Sequence, residues 1–195
     1  MKAWRRKTAS FEICILAGGL SERMRRDKSR LRLGGRSMLG QIRAEAARTR
    51  LPVRVIKRDL TPRCGPLGGV YTALKTTQAG AVVFLACDMP FVTARLIEWL
   101  KKRSDSKATS ERSAGDAIFL AEKREAGFPF LLRPKALQAV EEQIQRAQFS
   151  LQALAKVLKA KVIRPRPRLR PQLRNLNTPA EWRRARKLWD RINKR

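Results

Sequence analysis

Residues 13–28 read ICILAGGLSERMRRDK: an apolar run that stops at a glycine pair and continues straight into charge. Phe11-Glu12-Ile13-Cys14-Ile15-Leu16 is short and rich in β-branched residues, the pattern of a buried parallel strand. Gly18-Gly19 lets the backbone turn sharply and come close to a ligand with no Cβ in the way. Ser21, Arg23, Asp27 and Lys28 follow at once. A strand, a glycine turn and then cations make a phosphate-holding arrangement, because bared N–H groups and positive side chains converge there.

A second stretch reads the same way. Ala81-Val82-Val83-Phe84-Leu85-Ala86-Cys87 is the cleanest buried strand in the sequence, and it runs into Asp88-Met89-Pro90. A carboxylate at the end of a wholly apolar strand has no packing role and needs a cation or hydrogen bonds to stay charged. Mg²⁺ beside a triphosphate meets that need, since Mg²⁺ takes one or two carboxylates and completes its shell with phosphate oxygens and water. Capping of the next helix is the structural alternative for Asp88. Asp59, in a loop after the short strand 53–56, precedes Gly65-Pro66-Leu67-Gly68-Gly69, whose glycines permit close approach of a helix start to a ligand.

Strands alternate with helices along the chain. Strands are expected at 11–16, 53–56, 81–87, 117–121, 128–132 and 162–163. Helices are expected from Ser37 to about 49, from Leu67, from Thr93 to about 102, from Pro134 to about 147, from Ser150 to about 158, and from Thr178-Pro179 to about 192. Residues 103–116 read as a surface loop, and Arg164–Arg170, alternating arginine with proline or leucine, as extended and solvated. The pattern predicts an α/β fold: one domain over residues 11–195, an open, mostly parallel sheet with helices on both faces, behind a basic arm at 1–10. Ligands in such sheets bind beyond the carboxyl ends of the strands, where the loops after Leu16 and Cys87 both lie.

Composition narrows the chemistry. The 195 residues carry 45 Lys and Arg against 16 Asp and Glu, a net charge of +29, and no histidine. Without histidine, catalysis must rest on carboxylates, cations and metal. The cations run along the whole chain instead of gathering in one tract, the distribution of solvated faces. Three cysteines, Cys14, Cys64 and Cys87, show no paired spacing, consistent with a reducing cytoplasm. No apolar run is long enough to span a bilayer, and the apolar stretch behind the basic N-terminus belongs to the glycine motif, so a cleaved signal peptide is not expected.

The string Leu16-Ala17-Gly18-Gly19-Leu20-Ser21-Glu22-Arg23-Met24-Arg25-Arg26-Asp27-Lys28 resembles the LAGGxSxRMGxDK signature of nucleotidyltransferases of the molybdenum cofactor guanylyltransferase type. Arg25 stands where that signature has glycine. LACDMPFV at 85–92 resembles the family's metal-binding LxCDxPF motif, Asp59 precedes a GPLxG element as in the family, and Asn175-Leu176-Asn177-Thr178-Pro179 resembles its NxNTPED element. Longer members carry an extra segment ending Asn-Ala-Asn-Arg where Val53–Lys57 here runs almost directly into Asp59.

The resemblance implies GTP as substrate, Mg²⁺ as cofactor, and attack by the terminal phosphate of molybdopterin on the α-phosphate of GTP with pyrophosphate release. It implies nucleotide contacts at Leu16, Ala17, Gly18, Gly19, Lys28, Asp59 and Asp88, with Asp88 on the metal. Lys28 and Arg23 are implied as catalytic counter-charges alongside Asp88, and Asn177 as a further site residue. The glycine pair leans toward the guanylyl over the cytidylyl branch. Gly127–Phe130 falls where the family carries a strand facing the acceptor. Two alternatives stand beside this reading: a same-fold transferase using another nucleotide or acceptor, such as a cytidylyl or sugar-phosphate substrate, and a degenerate nucleotide-fold protein binding nucleic acid through its basic surface. Few aromatics and no RNA-binding signature argue against nucleic acid; an acidic protein partner is left open.

Overall fold

The computed structural model describes residues 10–18, 31–105, 116–121 and 125–193. Six strands form the main sheet: β1 (Glu12–Leu16), β4 (Val53–Ile56), β5 (Val82–Ala86), β6 (Ala117–Ala121), β7 (Ala126–Leu132) and β8 (Lys161–Ile163), in the order β4-β1-β5-β7-β6-β8. β1 pairs in parallel with β4 and β5, and β6 with β8; β7 runs antiparallel to both its neighbours. A small hairpin of β2 (Arg32–Leu33) and β3 (Arg36–Ser37) stands apart. The sheet is therefore mostly parallel, as the alternation of strands and helices predicts.

Alternation along the strands divides the core. Ile13 and Ile15 of β1, with Val83 and Leu85 of β5, face α1 (Met38–Ala47) and α3 (Ala94–Asp105). Cys14 and Leu16, with Val82 and Phe84, face α2 (Pro66–Thr76), α4 (Leu137–Gln145) and α5 (Leu151–Val157). Every β1 residue is buried, which is why the run reads as continuously apolar. On the second face Phe130 stacks between Phe84 and Phe119, with ring centroids 4.9 and 4.6 Å away. The one acid in β1, Glu12, accepts from Arg54 Nε at 2.6 Å and from Thr77 Oγ1 at 2.6 Å, so its charge is matched at the amino edge of the sheet.

Local signals set the helix starts. Ser37 Oγ accepts from Gly40 N at 3.0 Å to cap α1, and Ser150 Oγ accepts from Gln152 N and Ala153 N to cap α5. Pro66 opens α2, its missing N–H being harmless in the first turn.

Two stretches differ from the sequence expectation. Residues 164–170 are not a solvated extended run: Pro167–Leu173 winds into a 3₁₀ helix and buries Leu169 and Leu173 against the first core face. Arg164, Arg166 and Arg168 stay exposed while Leu169 and Leu173, one on each side of Pro171, anchor the segment. The loop between β1 and α1 contains the β2–β3 hairpin, closed by Gly34 and Gly35, both at positive φ. α3 also continues to Asp105; residues 106–115, the rest of the expected surface loop, lie outside the described residues, as does the 1–9 part of the basic arm.

α6 (Pro179–Asn193) packs on neither main face. It builds a third, small core of Leu33, Met38, Leu176 and Ala185, with Leu31, Phe91, Trp182 and Trp189 around it.

Candidate active site

The chain leaves β1 through α1 to β4 on one side and crosses back through α2 to β5 on the other. β1 thus sits at the reversal of strand order, the place where open α/β sheets bind ligands beyond the carboxyl ends of the strands. At that edge Leu16 O accepts from Cys87 N at 3.1 Å, while Ala17 N and Gly18 N both donate to Ile56 O, at 2.8 and 3.1 Å. The glycine motif is thereby stitched to the strand ends on both sides before it enters residues 19–30.

Asp59 lies beneath it. A Cβ on Gly18 would fall 3.0 Å from Lys57 O and 3.4 Å from Asp59 Oδ1. A Cβ on Gly68 would fall 2.7 Å from Thr61 O and 2.8 Å from Asp59 Oδ2, and one on Gly69 would fall 3.0 Å from Leu16 Cδ2. Three glycines from two elements wall the Asp59 carboxylate, and no larger residue fits at Gly68. The loop is pinned from the far side: Thr72 Oγ1 accepts from Leu60 N at 2.8 Å and itself donates to Gly68 O at 2.8 Å. Burial in this nest pushes the Asp59 carboxyl above its usual range. The α2 terminus beside it, with Gly65 at φ 54° as N-cap, has no side chain capping it.

Asp88 follows β5 in a turn closed by Met89 N donating to Ala86 O at 3.3 Å. Its own carbonyl accepts from Leu176 N at 2.9 Å, so the segment 174–177 is drawn across the sheet edge and lands Asn177 there. The start of α6 is set by a capping box: Thr178 Oγ1 accepts from Glu181 N, and Glu181 Oε2 accepts from Asn177 N at 2.7 Å and Thr178 N at 2.9 Å. Between this segment, Phe91 and α6 lies a cleft of about 610 Å³, lined by Arg174, Asn175, Asn177 and Arg184 together with apolar Phe91, Leu176 and Leu188. β7 enters the same edge with its amino end, since Phe130 is level with Phe84 and Phe128 is two residues earlier.

The structure therefore brings together Leu16, Ala17, Gly18, Asp59, Asp88 and Asn177, drawn from four separate places in the sequence. Gly19, Ser21, Arg23 and Lys28 lie outside the described residues. Phe91 closes the LxCDxPF motif and Glu181 stands in the acidic pair of the NxNTPED element, but neither was singled out as a site residue; Thr-x-x-Glu at 178–181 is also a readable capping signal, and Arg184 had no motif to announce it. Among the described residues no group of three or more His, Cys, Asp and Glu gathers as a metal cage. The available donors are carboxylate oxygens, which fit Mg²⁺: it needs few protein ligands when a phosphate chain supplies others.

The family profile described as the MobA-like NTP transferase domain matches residues 13–163. The chain belongs to that family. A relative in Opitutus terrae, named as a probable molybdenum cofactor guanylyltransferase, is 31% identical over 86% of this chain and 90% of its own length. One in Acinetobacter baumannii, named as a molybdenum cofactor guanylyltransferase, is 30% identical over 56% of this chain and 51% of its own. Among solved structures, molybdopterin-guanine dinucleotide biosynthesis protein A from Archaeoglobus fulgidus superposes with a TM-score of 0.71 at 20% identity, covering 92% of this chain and 99% of that one. The 2-C-methyl-D-erythritol 4-phosphate cytidylyltransferase of Thermus thermophilus shares the fold at a TM-score of 0.65 and 13% identity, covering 91% and 98%. The six-stranded, mostly parallel sheet is thus the fold of this nucleotidyltransferase family and its structural neighbours.

Proposed function

We propose that this protein is a guanylyltransferase that transfers GMP from GTP to the terminal phosphate of molybdopterin and releases pyrophosphate. The observation that supports the reading is that Leu16–Gly18, Asp59 and Asp88 lie at the same carboxyl edge of the sheet, in a family whose relatives are named for this activity. An oxygen of the acceptor phosphate forms a bond to the α-phosphorus while the bond from that phosphorus to the bridging oxygen of the leaving pyrophosphate breaks. A phosphate nucleophile is already ionised at neutral pH, so the absence of histidine costs nothing. The protein's task is positioning and charge neutralisation.

The assignments follow from that task. Leu16, Ala17, Gly18 and Gly19 hold the nucleotide at close approach, and Asp59 presents its carboxylate to it. Lys28 and Arg23 stabilise charge on the attacked phosphate and on pyrophosphate. Asp88 would hold Mg²⁺, which when bound supplies further neutralisation of the phosphates. The acceptor lies toward Asn177, in the cleft where Arg174 and Arg184 offer charge and Phe91 an apolar wall. The exposed cations of this end suit an acidic protein partner better than nucleic acid, and a cytoplasmic setting accords with the substrates. Among the described residues no helix is long and apolar enough to cross a membrane.

Calorimetric titration of GTP, with CTP and ATP as controls and with Mg²⁺ present or absent, tests the proposal on wild type and Asp88→Ala. The expected result is Mg²⁺-dependent binding of GTP over the other two, lost in Asp88→Ala, followed by turnover with molybdopterin. A preference for CTP, or binding indifferent to Asp88→Ala, would overturn it.

A further inference from the structure

The small third core joins elements that the two main core faces leave separate. Residues 31–37 follow Lys28 after Ser29 and Arg30 and lead into α1. Leu31 O accepts from Met38 N at 2.8 Å, and Leu33 O accepts from Gln41 Nε2 at 2.9 Å, so one side of this stem is tied to α1. The other side meets α6. Leu33 and Met38 are fully buried against Ala185, Trp182 and Trp189. Gly34, at φ 53°, closes the hairpin directly under the Trp189 indole: a Cβ there would overlap Nε1 outright and fall 2.9 Å from Cδ1.

The same indole reaches the metal-motif turn. The ring of Phe91 lies 6.1 Å from that of Trp189, and Leu176, in the same small core, donates its N–H to Asp88 O. Through one aromatic side chain and one helix, the stem of the glycine-motif loop and the turn bearing Asp88 are held in a common frame. Among the described residues, neither main core contains a residue of 31–37; the first reaches the stem only through α1, whose Ile42 and Ala46 share that core with Met89.

We infer that Trp189 is a positioning residue: seated on Gly34 and against Phe91, it sets the stem of the glycine-motif loop relative to Asp88 and thereby the affinity for GTP. The inference rests on the guanylyltransferase reading for its ligand, while its structural half stands without one. Trp189 acts through the backbone at Gly34 and the ring of Phe91. Glycine is required there twice over, for the left-handed turn and for the seat of the ring.

The test uses the full-length protein with Trp189→Ala, Trp189→Phe, Gly34→Ala and the double variant. Amide exchange without ligand is read first. In Trp189→Ala the amides of 31–37 should exchange about tenfold faster or more while those of β1 and β5 stay protected, since only the small core has been opened. GTP binding with Mg²⁺ should weaken by about tenfold in Trp189→Ala and Gly34→Ala, as a misplaced loop stem demands. Trp189→Phe should recover most of it, and the double variant should bind no worse than either single one. Unchanged exchange over 31–37 would overturn the inference. So would faster exchange with GTP affinity intact, or a general loss of protection across β1 and β5, which would mark Trp189 as merely structural. Failure of wild type to bind GTP, with exchange behaving as expected, would instead sink the guanylyltransferase reading and leave the positioning of the stem in place.

Discussion

At Asp59 the nest of Gly18, Gly68 and Gly69 raises the carboxyl above its ordinary 3.8. A raised folded-state value means that the folded protein binds the proton more tightly than the unfolded chain. The residue's contribution to stability is therefore fully present below about 3.8 and is lost as pH rises through the folded value; at neutral pH the ionised group is a net cost. Asp59→Asn should remove that dependence. Urea denaturation of the ligand-free variant should give a midpoint at or above that of wild type at pH 7 and a flatter profile at acid pH. GTP binding should fall by about tenfold, because a neutral amide replaces an ionised hydrogen-bond acceptor. A variant less stable than wild type at pH 7 would contradict the account. Asp88 was legible as a candidate because a carboxylate at the end of an apolar strand stands out, and Asp59 because it precedes the Gly65–Gly69 element as in the resembling family. That Gly18 and Gly68 both press on Asp59 was not, since Gly18 stands far before Asp59 in the chain and only the folded sheet edge brings the two glycines to the same carboxylate.

The element that departs most from its sequence pattern is the 3₁₀ segment Pro167–Leu173. Its arginines announce solvent and its prolines an extended chain, yet Leu169 and Leu173 sit in the core and Gln172 Oε1 accepts from Thr93 Oγ1 at 2.8 Å. Leu173→Ala should cost about 2–4 kcal/mol, the range for truncating a buried leucine, readable as a lower denaturation midpoint. A change within about 0.5 kcal/mol would restore the solvated reading. The strands and most helix starts were legible because their signals are local: Ser37 and Ser150 cap the helices that follow them, and α2, expected from Leu67, opens one residue earlier at Pro66. The fate of 164–173 was not, because its two leucines gain their value only from a sheet face built by residues 13–131.

For the whole molecule, β1, paired on both sides and buried along its length, should be among the last parts to open. Cys14 is fully buried in β1, flanked by strands on both sides, and burial pushes its thiol up to about 12. A thiolate-selective reagent should leave Cys14 unmodified in the folded protein and reach it only on global unfolding, so its labelling rate should track the denaturant dependence of the whole protein. Labelling of Cys14 under native conditions, with the circular dichroism unchanged, would mean that β1 opens locally and would weaken the case for a rigid nucleotide edge.

The sequence by itself determined the alternation of strands and helices, the nucleotidyltransferase resemblance, and the candidate acids Asp59 and Asp88, because these depend on periodicity and on short motifs. Tertiary structure alone decided the rest. It set β7 antiparallel between β5 and β6, folded the arginine-rich segment onto the core, walled Asp59 with glycines, and brought α6 over the hairpin that follows the glycine motif. Each of these is a contact between residues far apart in the chain. Its free energy comes from surface that is apolar or charged in any sequence, and only the assembled fold determines what covers it.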